Sequence, residues 1–312
     1  MRPIILGTHR RFRREVFWIC FGGYLFAVLL GIPFIFLSQP LNSRGTSISS
    51  LCMQLVFTYA VGLLIVMLGL YLSGQVGLGL PFIENILSKK PTWVRARGVV
   101  GLCILVSLGS MILVLFTSIV ITAFAMLFQN NVLDAFAYLD ESSYPKTWLW
   151  LLVAINAGIS EELIFRFGLM TMFVWLGSYI HRGEAGRPSD LVMWVAIIAA
   201  GIIFGIAHLW GIFPVPDIWI LRFRVVITNS LIGILLGWLY WRYGLESAML
   251  THILIVIGFY VIFVPVSRSN NLLLIGLALV MLIVIIRWAW NALESDRLIT
   301  DRLEPGDEIS IV

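Results

Sequence analysis

The stretch Thr147–Ile180 reads TWLWLLVAINAGISEELIFRFGLMTMFVWLGSYI. It exceeds the roughly 20 apolar residues that a helix needs to cross a bilayer, yet it carries Glu161, Glu162 and Arg166 in its middle. Ionised groups in hydrocarbon cost about 2.5–3.5 kcal/mol each even on insertion scales, so a chain that keeps three of them at mid-span uses them. The reading is a membrane helix with a working interior.

The rest of the chain agrees. Of its 312 residues 60% are hydrophobic and 12% charged, with a mean hydropathy of +0.97, against about a quarter charged in soluble domains. Uncharged runs Val16–Leu37, Leu51–Ser73 and Gly98–Phe128 are spans in their own right. Leu191–Phe213, Val225–Trp241, Ser247–Val264 and Asn271–Leu293 are further spans broken by few polar groups. The expected fold is therefore all-α, a polytopic integral membrane protein of about eight transmembrane helices, with the sixth the shortest. One membrane domain, 16–293, lies between a basic N-terminal segment, 1–15, and a polar C-terminal tail, 294–312, expected to be solvated and mobile.

Orientation follows from the basic residues. With the N-terminus cytoplasmic, that side holds Arg2, Arg10, Arg11, Arg13, Arg14, Lys89, Lys90, Arg95, Arg97, Arg182, Arg187, Arg242, Arg287, Arg297 and Arg302. The other side holds Arg44, Lys146, Arg222, Arg224 and Arg268. That asymmetry is the positive-inside pattern and puts both termini in the cytoplasm. The net charge of +4 then reads as topology and contact with anionic lipid, and nucleic acid is not an expected partner. The first helix is too long for a signal peptide and no Ala-x-Ala-like site follows it, so it stays as an anchor. Cys20, Cys52 and Cys103 have no paired or metal-ligand spacing and read as packing residues.

Two more strings carry ionisable groups: Phe204-Gly205-Ile206-Ala207-His208, and His252 near the start of a later helix. On a helix Glu162 and Arg166, four apart, share a face and can pair, whereas Glu161 points about 100° away. This suggests a division of labour, with Glu162–Arg166 as a structural clamp and Glu161 left to face a polar cavity as a general base. Two imidazoles near that carboxylate would suffice to orient a water and stabilise an oxyanion, as acyl hydrolysis requires. The spacing does not assign which imidazole does which.

Glu-Glu-x-x-x-Arg, then Phe-x-x-x-His, then a later His, in a polytopic helical chain, is similar to the CAAX prenyl endopeptidase and bacteriocin-processing family of intramembrane glutamate proteases. The resemblance covers roughly Thr147–Phe263. It implies that Glu161 and His208 activate the attacking water, that Glu162 and Arg166 support them, and that His252 helps form an oxyanion hole. It implies no metal and no cofactor, and a membrane-associated peptide or protein as substrate near the cytoplasmic face. Prokaryotic members with other peptide substrates belong to the same family, so a prenylated CAAX substrate does not follow.

The chain departs from the family at one position. The third motif usually runs His-x-x-x-Asn, and four residues beyond His252 stands Val256, which cannot donate a hydrogen bond. Asn229 is the nearest substitute, with Asn156 and Thr251 as weaker ones. Phe204 reads as packing in support of the site. Two other hypotheses stand beside the glutamate protease: a zinc-dependent membrane hydrolase, since two His and one Glu are a catalytic zinc set, and a degenerate membrane scaffold or regulator. A proton-relay transporter is a more remote one.

Overall fold

The computed structural model describes residues 13–38, 48–89, 93–128, 146–181, 183, 187–210, 219–264 and 272–302. The basic N-terminal segment before Arg13, the Pro214-Val215-Pro216 turn and the end of the acidic tail lie outside them. Among the described residues the chain is all helical, with nine helices. In chain order these are α1 (Arg13–Ser38), α2 (Ile48–Val76), α3 (Pro81–Leu87), α4 (Trp93–Phe128), α5 (Thr147–Ile180), α6 (Asp190–Ala207), α7 (Trp219–Tyr243), α8 (Leu245–Phe263) and α9 (Leu272–Arg302). All but α3 and α9 count among seven helices long and apolar enough to span a membrane. The eighth expected span, 271–293, falls on α9, which is not among those seven.

Two expectations about helix ends change. The sixth span is not the shortest: α7 begins at Trp219 and runs for 25 residues, whereas α6 has 18. Arg222 and Arg224 lie in its first turns without ending it, because long guanidinium side chains can keep their heads at the polar boundary while their stems stay in the apolar layer. At the other end of the chain α9 does not stop at Leu293 but continues through Arg302.

Helix association inside a bilayer depends on close fit, since lipid is as apolar as leucine. One close pair is α6 against α7, where a Cβ on Gly233 would lie 2.9 Å from Gly201 Cα and one on Gly205 would collide with Ser230. The α5 helix packs against α1, α2 and α8. Its Asn156 Nδ2 donates to Ala27 carbonyl on α1 at 2.7 Å, so this amide ties two helices together and does not serve the site. Buried Tyr24, Phe167, Met170, Ile197, Leu236 and Tyr240 belong to one apolar core shared by α1, α5, α6 and α7. Cys20 and Cys103 are unpaired and buried, as expected of packing residues.

Short α3 is a plug at one end of the bundle. Its Ile83 N–H donates to Glu246 Oε1 at 2.9 Å, and Leu245 N–H donates to Gly79 carbonyl at 3.1 Å. Between α7 and α8 the chain turns at Gly244 with φ +95°, a conformation open to glycine, where a side chain would also strike Pro81.

Candidate active site

The α5 helix changes character at its charged residues. It is an ordinary α-helix through Glu162, then widens into a π-helix over Leu163–Met170 before closing again at Thr171. Such widened turns are rare and recur at functional sites, because the extra residue redirects the side chains around it. A second π segment, Ile257–Phe263, follows the helix that carries His252.

Arg166 Nη1 lies 3.1 Å from Glu162 Oε1, with both side chains buried. The clamp read from the four-residue spacing is therefore present, but it has a third member. His252 Nδ1 lies 2.8 Å from the same Glu162 oxygen. A carboxylate only accepts, so Nδ1 carries the proton and donates it to Glu162. Arg166 Nη2 in turn donates to Gly233 carbonyl on α7 at 3.1 Å. A buried anion thus faces a guanidinium and an imidazole across α5, α7 and α8, and this pairing offsets the cost of burying its charge, although Glu162 Oε2 itself has no hydrogen-bond partner.

His208 opens the short 3₁₀ turn that ends α6. Its Nδ1 lies 2.8 Å from Phe204 carbonyl, which fixes the tautomer in the same way: Nδ1 is protonated and Nε2 presents a lone pair. That Nε2 faces Glu161 Oε2 at 4.0 Å, and the two side chains are about a third exposed, 31% and 30%. The two imidazoles therefore do not meet at one carboxylate, whereas the sequence reading placed both near Glu161. His208 faces Glu161, and His252 belongs to Glu162.

Phe204 is the wall between the two halves. Its ring lies 4.3 Å from the Arg166 guanidinium carbon, and its centroid is 4.6 Å from the His208 ring and 5.9 Å from the His252 ring. Phe165 meets its other edge at 5.1 Å. A cation over an aromatic face gains about 2 kcal/mol when desolvated, so this residue does more than fill space.

Asn229 is not seen in contact with these groups. Its Nδ2 donates to Val225 carbonyl in its own helix at 2.8 Å, although it stands one turn before Gly233 on the same face of α7. Thr251 is wholly buried beside Cys103. Val256 ends the α-helical part of α8, one turn beyond His252. Among the described residues no group of three or more His, Cys, Asp and Glu side chains is placed to hold a metal ion.

Sequence reasoning missed three contributors: the Gly233 carbonyl that takes Arg166, and Thr171 and Tyr240, whose hydroxyls lie 2.9 Å apart. None has a charge or a motif to mark it. A backbone acceptor is invisible in a sequence, and a Thr or Tyr inside an apolar span looks like any other.

Residues 143–258 match the family model described as type II CAAX prenyl endopeptidase Rce1-like, a segment that contains Glu161, Glu162, Arg166, Phe204, His208, Asn229 and His252. No curated protein and no solved structure matches the chain. Residues 143–258, with paired carboxylates on α5 and two imidazoles at the end of α6 and on α8, are thus similar to the Rce1-like type II CAAX prenyl endopeptidase family.

Proposed function

We propose that this membrane protein is a glutamate-type endopeptidase that cleaves a membrane-associated peptide or protein with a water held between Glu161 and His208. The observation that carries this reading is the 4.0 Å gap between Glu161 Oε2 and His208 Nε2. It is too long for a direct hydrogen bond, and both atoms are acceptors once Phe204 has claimed the other ring nitrogen. A water that donates to both at ordinary distances spans about 4.3 Å. Held so, it has its oxygen lone pairs free for a carbonyl carbon, and the carboxylate and imidazole are ready to take its proton.

His252 supplies the opposite charge. With Nδ1 committed to Glu162, its Nε2 donates to an oxyanion only as imidazolium. Glu162 and Arg166 are then supporting residues. The basic asymmetry of the loops supports cytoplasmic termini, and Glu161 Oε2, buried and without a hydrogen-bond partner of its own, has an acceptor position for such a water.

The test uses protein purified in detergent and reconstituted in vesicles, with three labelled probes: a farnesylated peptide ending in a CAAX sequence, its unprenylated twin, and a bare hydrophobic peptide. The expected result is cleavage of at least one probe that disappears in Glu161→Gln and His208→Ala. Cleavage that persists in both variants would overturn the reading. Intact probes throughout, with the family's Asn position occupied by Val256, would favour a degenerate scaffold or regulator.

A further inference from the structure

We infer that Thr171 and Tyr240 are positioning residues, which brace the π-helical turn of α5 and so aim Arg166 and Glu162 at His252; as an inference about catalysis it rests on the endopeptidase reading above. Thr171 Oγ1 lies 3.0 Å from Arg166 carbonyl and 2.9 Å from Tyr240 Oη. The direction of this chain is fixed. A carbonyl only accepts, so the single Thr171 hydroxyl proton goes to Arg166, and Tyr240 must therefore donate to Thr171. Both side chains are buried, at 0% and 1% exposure, and in a dry interior each link strengthens the next.

The bonds fall where a π-helix needs them. Widening the helix over Leu163–Met170 replaces four-residue closures with five-residue ones, and the Thr171 N–H also reaches back to Arg166 carbonyl. The Thr171 hydroxyl thus adds a second bond at the junction where the wide turn gives way to ordinary α-helix. Without it the widened turn would have only the backbone to hold it against reverting.

Residue 166 is consequently gripped twice from α7. Gly233 carbonyl holds its guanidinium, and Tyr240, seven residues or two turns further on the same face, holds its backbone through Thr171. The head of Arg166 meets Glu162 Oε1, and Glu162 Oε1 meets His252. A continuous chain of bonds therefore runs from Tyr240 to the imidazole that faces the oxyanion. None of its first two members would touch a substrate.

The experiment compares Thr171→Val, Thr171→Ser and Tyr240→Phe in the full chain. One readout needs no substrate: the ring nitrogen and Nδ1 proton signals of His252 in protein labelled at its four histidines, with His252 identified by its own substitution. The other is kcat and KM on whichever probe the wild type cleaves. Thr171→Val is expected to move or broaden the His252 signals and to lower kcat about tenfold with KM unchanged, the rate equivalent of one buried hydrogen bond. Tyr240→Phe should do the same to a smaller extent, because Thr171 still donates to Arg166. Thr171→Ser, which keeps the hydroxyl, should match the wild type in both.

His252 signals and kcat unchanged in Thr171→Val would overturn the inference. So would a Thr171→Ser variant as impaired as Thr171→Val, since the methyl group and not the hydroxyl would then matter. If the wild type cleaves no probe, the endopeptidase reading fails, while the His252 signals still decide whether the brace exists.

Discussion

Glu162 Oε1 is shared between Arg166 and His252, at 3.1 Å and 2.8 Å, so the second carboxylate of the Glu-Glu pair is a three-way junction and the first is the one left open. The adjacent residues of one motif thereby have different environments, Glu162 wholly buried between two donors and Glu161 partly exposed beside one imidazole. Their substitutions should separate accordingly.

Glu161→Ala is expected to abolish proteolysis while leaving expression and thermal unfolding nearly unchanged, because its side chain is partly exposed and pairs with no cation that its loss would strand, and its partner His208 keeps the Phe204 bond. Glu162→Ala should cost about 3–5 kcal/mol, since it strands Arg166 as an unpaired buried cation and leaves His252 without its acceptor. Unfolding curves in detergent compare the two. Equal losses of stability would contradict the division of labour.

Cleavage, once measured, should survive strong chelators, and metal analysis of the purified protein should find far less than one zinc per chain. His252 Nδ1 is engaged with Glu162 and His208 Nδ1 with Phe204 carbonyl, so zinc binding would have to use the two Nε2 atoms; that of His208 faces Glu161, whereas His252 meets its carboxylate through Nδ1. Stoichiometric zinc together with chelator-sensitive cleavage would promote the hydrolase alternative.

The Val256 position is read with two variants. If Asn229 turns its amide from Val225 carbonyl toward the oxyanion during turnover, Asn229→Ala should lower kcat by about 10²–10³-fold, the usual effect of losing one such donor. If the chain is degenerate, Asn229→Ala should change nothing and Val256→Asn should restore cleavage. Wild-type cleavage indifferent to both variants would mean that His252 or a backbone N–H suffices.

Acidity should act on the α3 plug. Burial raises the Glu84 carboxyl above its ordinary value of 4.5, partly offset by a hydrogen bond to the Leu80 backbone. A raised native value means that the folded state holds the proton more tightly, so stability declines as pH rises from 4.5 through the raised value and stays lower above it. Glu84→Gln should therefore raise the Tm at pH 7 and leave it unchanged below pH 4.5. The gain should stay under about 1 kcal/mol, because the carboxylate is partly screened by solvent. A pH profile of Tm identical in the two proteins would refute this account.

Much of this protein is local, and what is local was legible in its sequence. Whether Val16–Leu37 or Gly98–Phe128 crosses a bilayer depends on their own hydropathy and length. Glu162 meets Arg166 because four residues make about one helical turn, whatever surrounds them. The approach of Glu161 to His208, expected from the motif pair, needed only that α5 and α6 be neighbours, which a short connection favours. Other features depended on rotations and offsets between helices, and no single helix encodes those. His252 pairs with Glu162 and not Glu161 because α8 presents it to the buried side of α5, an angle absent from any spacing. The tautomer of His208 depends on a backbone carbonyl, and Thr171 and Tyr240 acquire meaning only where α7 crosses the widened turn of α5. Composition decided that the chain lives in a membrane; packing decided which carboxylate is sealed between two donors and which is left facing a single imidazole.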